Sequence, residues 1–299
     1  MSVEAERNRD DKELFAPETY GPAGEPEPVQ VKRRRGVLDV AAMVLPPILI
    51  FAAFIGVWYF ITYNLLESDQ RFLLPPPHEV VQFGFLDSFT MEDTLAALWS
   101  TTQVALVGLL IAIILGMSFA IFMSQARWIE RSFYPYAVIL QTIPILALVP
   151  LIGFWFQFNF RSRVIVCVLI ALFPIITNTL FGLQSVDREL NDLFTLHGAG
   201  RWTRLKKLQL PHALPAIFTG FRISAGLSVI GAIVGDFFFR QGEPGIGRLL
   251  DIYRARLQSP QLITAIIFSS LLGLVVFWLF GFIGHFATKS WHESAGPKQ

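Results

Sequence analysis

The sequence has one cysteine, little charge and none of the short motifs that mark a catalytic site. A lone Cys167 excludes an intramolecular disulfide and a cysteine-rich metal site. It lies inside an apolar run and reads as a packing residue. Charged residues are 16% of the chain, against about 25% in soluble domains. No G-x-x-x-x-G-K-[ST] occurs, so the chain does not cradle the phosphates of ATP itself. There is no H-E-x-x-H, and His78, His197, His212, His285 and His292 are scattered rather than set at metal-ligand spacing. No Ser/His/Asp arrangement can be argued from separations this large. No catalytic residue, no metal ligand and no cofactor site is therefore assigned, and a non-enzymatic chain is expected.

What is there is apolar. Hydrophobic residues make up 53% of 299 positions, with 28 Phe and a net charge of +1. Runs long enough to span a bilayer recur, and a helix needs about 20 apolar residues to cross. Six spans are predicted: Val40–Leu66, Thr94–Ala126, Ser132–Phe160, Val164–Val186, Leu214–Phe239 and Leu257–Thr288. A backbone in lipid must satisfy its own hydrogen bonds, and these runs lack the alternation of barrel strands, so helices are predicted. Trp58, Tyr59, Trp99, Trp155, Trp278 and Trp291 fall mostly near span ends, as in an interfacial belt. Residues 1–36 are polar, without apolar period, and read as a disordered cytoplasmic tail rather than a signal peptide. The tail ends in Lys32-Arg33-Arg34-Arg35, a positive-inside anchor or else a lipid or partner site. With the amino terminus inside, inner segments hold sixteen Lys and Arg, outer segments seven, and Arg222 lies within a span. This bias predicts both termini in the cytoplasm. The outer segment Arg240–Arg256 runs against it.

One stretch is unlike the rest. Leu190–Leu214 is a polar, basic island of 25 residues between two spans. Leu190, Leu193, Phe194 and His197 recur at helical spacing, and Gly198-Ala199-Gly200 permits a sharp turn. A second short helix is predicted from Arg201 to Leu208, ended by Pro211 and Pro215. Arg201, Arg204, Lys206 and Lys207 make its surface cationic. Fixed between spans and without a nucleic-acid motif, such a loop meets a protein surface rather than a nucleic acid.

The spacing of this island resembles the EAA loop of importer-type ABC transporter permeases. That loop has an acidic residue and two small ones, three residues, Gly, nine residues, then aliphatic-x-Leu-Pro. Here Asp192-Leu193-Phe194 fill the first position, Gly198 is the glycine, Leu208 the aliphatic and Leu210-Pro211 the ending. The departures are Asp for Glu and Leu-Phe for Ala-Ala. Leu73-Leu74-Pro75-Pro76-Pro77-His78-Glu79-Val80 also resembles the Leu-Pro-rich outer segment of nitrate-, sulfonate-, taurine- and pyrimidine-type permeases. The resemblance implies an all-α integral membrane protein with six transmembrane helices and a type I ABC importer-like permease fold. It would comprise the tail (1–36), the transmembrane domain (37–290, coupling loop 190–214) and a short cytoplasmic tail (291–299). It further implies ABC ATPase subunits that bind ATP and Mg, a solute-binding protein, a permease homodimer and a bacterial plasma membrane. Asp192, Leu193, Phe194 and His197 would face the ATPase, Gly198 would set the turn, and Leu208, Leu210 and Pro211 would fix the loop to the fifth span.

Polar residues inside spans invite a second set of expectations, because intramembrane charge is costly. Small residues recur every fourth position in the second span (Gly108, Ala112, Gly116, Ala120, Ser124) and the fifth (Gly220, Ser224, Ser228, Ala232). Such stripes let helices approach closely. In the fifth span a solute-pathway reading stands beside packing, with Ser224, Ser228 and Asp236 as candidates. Asp236 reads either as a headgroup-level residue or as part of an outer gate. Arg222 reads as snorkelling to the interface or as pairing with a carboxylate. Gln141, in Gln141-Thr142-Ile143-Pro144, is a further pathway candidate, and Pro144 and Pro150 predict bending. The rival from another class is a self-sufficient secondary transporter or channel, which calls for inverted repeats or titratable residues in several spans.

Overall fold

The computed structural model describes residues 37–239 and 244–289. The tails expected at 1–36 and 291–299 lie outside these residues. The chain divides into two compact units, 1–56 and 57–299. In the first unit, helix α1 (Val37–Phe60) begins and passes through Pro46 and Pro47. Val44, Leu45, Ile48, Leu49, Ile50 and Phe51 are exposed along it, as suits a helix whose solvent is lipid.

In the second unit every regular element among the described residues is a helix. A π-turn (Ile61–Leu65) ends α1. There follow α2 (Pro77–Val80), α3 (Ser88–Ser124), α4 (Arg127–Thr142), α5 (Ile145–Phe156), α6 (Phe160–Gln184) and α7 (Arg188–Leu196). After them come α8 (Arg201–Arg204), α9 (Leu210–Phe238), α10 (Ile246–Ala255) and α11 (Ser259–Lys289). Five stretches are long and apolar enough to cross a membrane, and α4 with α5 forms a sixth, bent by 95°. The 37 residues of α3 reach about 55 Å at 1.5 Å per residue, beyond a hydrocarbon core of about 30 Å. Its start is fixed by Asp87, whose carboxylate accepts from Thr90 Oγ1 at 2.6 Å and Thr90 N at 2.9 Å. These bonds hold the Asp87 carboxyl below the usual carboxylate range.

Three predicted boundaries are corrected. The third span, expected as one helix over Ser132–Phe160, is two helices joined by Ile143-Pro144. Pro144 has no N–H for the Leu140 carbonyl, and Ile143 before it is extended (φ −63°, ψ 127°). The short helix expected to stop before Pro211 instead runs on, and Arg201–Phe238 is continuous. A π-turn at Leu205–Gln209 shifts the bonding register just before Pro211, which then falls at the N-terminal end of α9. The segment around Arg248, expected as an outer loop, is largely a helix, α10.

The core lies where α3, α6 and α9 meet. Val104, Leu109 and Ala112 of α3, Cys167, Ala171 and Ile175 of α6, and Ile217, Ala225 and Val229 of α9 are buried there together. Lipid is as apolar as leucine, so close packing rather than hydrophobicity drives helix association. Both small-residue stripes face α6. A Cβ at Gly108 would come 2.3 Å from Cys167 Sγ, and one at Gly231 would come 2.8 Å from Cys167 Cα. Cys167 is thus clasped between α3 and α9, its thiol directed to the carbonyls of Ala105 (3.7 Å) and Ser228 (3.3 Å).

Candidate functional site

The two ends of the bundle carry different chemistry. At one end α7 and α8 form the predicted helix–turn–helix. His197 caps α7, and Gly198 takes a left-handed conformation (φ +63°). Gly198 N donates to the Thr195 carbonyl and Ala199 N to the Phe194 carbonyl, both at 3.0 Å, the paired bonds of a Schellman ending. The turn therefore lies where the sequence places it. His197 Nδ1 is 2.9 Å from the Leu193 carbonyl, and Arg204 Nη2 donates to Thr195 Oγ1 at 3.0 Å, tying α8 to α7.

No residue of α7 is buried. Asp192, Leu193 and His197 are exposed and Phe194 is half-buried, whereas Leu208 is buried and Leu210 and Pro211 are half-buried at the root of α9. Sequence reasoning missed the two most open large apolar side chains of this loop. Leu196 is 85% exposed and Trp202 70%. They flank the turn, and with Leu190 and Leu193 they give the loop an apolar surface amid Arg201, Lys206 and Lys207. Exposed large apolar groups grouped on one loop make it a candidate interaction site. The signal was available, since Leu196 precedes the Gly and Trp202 follows it. Between the loop and the bundle lies a polar cavity of about 550 Å³, bordered by Arg127, Glu130, Arg131, Gln184, Asn191 and Gln209.

At the other end sits a buried ion pair. Arg163 was expected in the outer segment between the third and fourth spans; it lies instead in the first turn of α6, 3% exposed. Its Nη1 meets Asp236 Oδ1 at 2.9 Å. Asp236, 1% exposed, also accepts from Thr101 Oγ1 at 2.5 Å and from the Gly247 N–H. Thr101 Oγ1 in turn accepts from Ile246 N at 2.8 Å. The knot joins α3, α6, α9 and α10. Gly245 and Gly247 allow the chain to fold over the carboxylate: a Cβ at Gly245 would lie 1.9 Å from Asp236 Oδ2, and one at Gly247 2.1 Å from the Ile233 carbonyl. Neither of the readings given to Asp236 from sequence included this partner, because Arg163 is 73 positions away and its apolar setting is not local.

The remaining candidates are placed as follows. Ser224 and Ser228 have 0% exposure; Ser224 Oγ donates to the Ala171 carbonyl of α6 at 2.7 Å and Ser228 Oγ to the Ala225 carbonyl at 2.8 Å. In this conformation neither borders open space. Gln141 does, at a cavity of about 450 Å³ beside the α4–α5 break. Arg222 is exposed along α9 with its guanidinium 4.2 Å above the Phe277 ring of α11, a cation–π contact.

Comparison with known proteins shows the family and the fold. Residues 108–289 match the family model described as the binding-protein-dependent transport system inner membrane component. The formylaminopyrimidine transport permease protein ThiX of Halalkalibacterium halodurans is 33% identical over 235 residues, covering 78% of this chain and 90% of that one. The nitrate import permease protein NrtB of Leptolyngbya laminosa is 29% identical over 248 residues, covering 80% and 86%. In fold, the chain superposes on one of a bacterial alginate ABC transporter solved in complex with its alginate pentasaccharide-bound periplasmic protein. The TM-score is 0.57 at 17% identity, over 84% of this chain and 95% of that one. The chain belongs to the family of binding-protein-dependent transport system inner membrane components, as an ABC importer permease of type I fold in the branch that holds the pyrimidine and nitrate permeases.

Proposed function

We propose that this chain moves a small solute into the cytoplasm by alternating access, driven by ATP hydrolysis in a separate ATPase that grips the α7–α8 loop. The observation that carries the reading is the loop itself. A helix–turn–helix with no buried residue in α7 presents Leu190, Leu193, Leu196 and Trp202 to its surroundings at one end of a tightly packed bundle. Closure of two ATPase subunits around ATP and Mg would push such loops together. Because Arg201–Phe238 is one continuous helix, motion of α8 is motion of α9, and α9 is packed on both α3 and α6. The bundle then shifts between two states that ligands at both ends bias.

A solute-binding protein would dock at the opposite end; the alginate transporter, similar in fold, was solved in complex with a periplasmic protein. That end includes α10, held to the bundle through the Arg163–Asp236 knot. A second copy of this permease would complete the pathway, and both termini would lie in the cytoplasm. The rival, a transporter that works unaided, calls for titratable groups along an open route. In the second unit the buried Arg163 and Asp236 are instead committed to each other, and Arg222 rests on Phe277.

The test is co-purification. Solubilised from cells expressing the whole operon, the tagged chain should bring down a nucleotide-hydrolysing subunit. Leu196→Asp with Trp202→Ala should lose it while the permease remains monodisperse. Retention of the subunit by that double variant would refute the docking role of the loop.

A further inference from the structure

The cavity beside the α4–α5 break has a composition that restricts what it can hold. About 450 Å³ in volume, it is bordered by Gln141 and Ile145 of the broken span, Ile170 and Phe173 of α6, and Leu227 and Ile230 of α9. The volume falls within the range of small-molecule sites, about 300–1,000 Å³. No Lys, Arg, His, Asp or Glu lines it, and Gln141 supplies its only polar side chain. Its backbone is less apolar. Pro144 has no N–H to give the Leu140 carbonyl, and Pro174 has none to give the Ile170 carbonyl. Both Leu140 and Ile170 border the same cavity. Two helices thus each lack the usual helical donor to a carbonyl of a residue that borders this cavity, and a side-chain amide borders it too. Interrupted helices at membrane depth persist where they are buried in protein or line a cavity, and transporters use them to hold solutes.

We infer that this cavity is the solute-contact site of the permease, and that its solute is an uncharged, ring-sized organic molecule bearing N–H donors. The inference rests on the transport reading proposed above. Carbonyl oxygens and an amide accept from N–H groups, and Phe173 with the aliphatic wall suits a planar ring. An inorganic anion would meet methyl groups and a single amide with no cation to neutralise it, which is costly in an apolar setting. The relatives carry names of both chemistries, a pyrimidine and nitrate; the lining favours the first.

The experiment uses the full transporter, this chain with its ATPase and binding protein, in cells offered four labelled probes: formylaminopyrimidine, riboflavin, nitrate and butanesulfonate. ATP-dependent accumulation of one or both heterocycles and of neither anion is expected. Accumulation of nitrate or butanesulfonate, or of none of the four, overturns the inference. Gln141→Leu should slow heterocycle uptake about two- to tenfold, the worth of one hydrogen bond. Leu227→Trp, which fills the cavity, should slow it further, and the milder Leu227→Ala guards against misfolding. Full-rate uptake by both Gln141→Leu and a monodisperse Leu227→Trp overturns the placement of the site. Failure of the transport reading looks different: heterocycle uptake would then proceed without ATP or without the ATPase.

Discussion

Arg163 and Asp236 meet at 2.9 Å inside the bundle, and each is the other's reason for being there. A buried pair is about neutral against well-packed apolar residues of its size, but one charge left alone is not. Asp236→Asn or Arg163→Met should therefore destabilise the permease by about 3–5 kcal/mol. The double replacement Arg163→Met with Asp236→Leu should be more stable than either single variant. Thermal unfolding in detergent measures all three, and single variants that melt with the wild type would remove the pair from the account.

The cover over that pair is equally demanding. Gly247 packs so closely that a Cβ would sit 2.1 Å from the Ile233 carbonyl, a backbone atom of α9 that cannot move aside on its own. Gly247→Val should lower the yield of monodisperse protein at least as much as loss of the ion pair. Gly56→Val, where nothing lies within 4 Å of the added Cβ, should leave it unchanged. Size-exclusion profiles of the two variants decide the matter.

Gly198 makes the opposite case. Nothing lies within 4 Å of a Cβ there, but φ is +63°. A β-branched residue in that conformation costs about 1–3 kcal/mol of local strain, and the strain falls on the loop rather than on the core. Gly198→Val should insert and fold normally yet abolish ATP-driven uptake, whereas Gly198→Asn, which tolerates the left-handed region, should retain much of it. Comparable uptake by the Val variant would contradict the role of the turn.

The architecture was legible where one signal sufficed. Span number followed from apolar run length, and the turn at Gly198 followed from three small residues after an amphipathic run. The break at Ile143-Pro144 was legible only as a bend, because whether proline kinks or splits a helix depends on what its neighbours offer the freed carbonyl. Arg163 was invisible as a core residue. It stands next to an apolar run in sequence, and only the fold brings Asp236, Thr101 and Gly247 around it. Leu196 and Trp202 were passed over for a related reason: a motif points to its own positions, while exposure belongs to the folded loop.

Arg222 offers a smaller test. Its guanidinium lies over Phe277 at 4.2 Å, and a Cβ on Gly281 would approach Arg222 Nε to 3.2 Å. Phe277→Leu should destabilise the α9–α11 contact by about 0.5–2 kcal/mol, the range for a cation–π pair, while Phe277→Trp should preserve it. Melting temperatures of the two variants, side by side, check the assignment.

The central claim is that work done by ATP hydrolysis in another polypeptide enters this one through the α7–α8 loop. Solute flux into proteoliposomes measures it most directly, with the purified permease reconstituted alone and then with its ATPase, ATP and solute-loaded binding protein. Concentrative flux only in the complete mixture, lost with Gly198→Val, is the predicted result. Concentrative flux by the permease alone would contradict it.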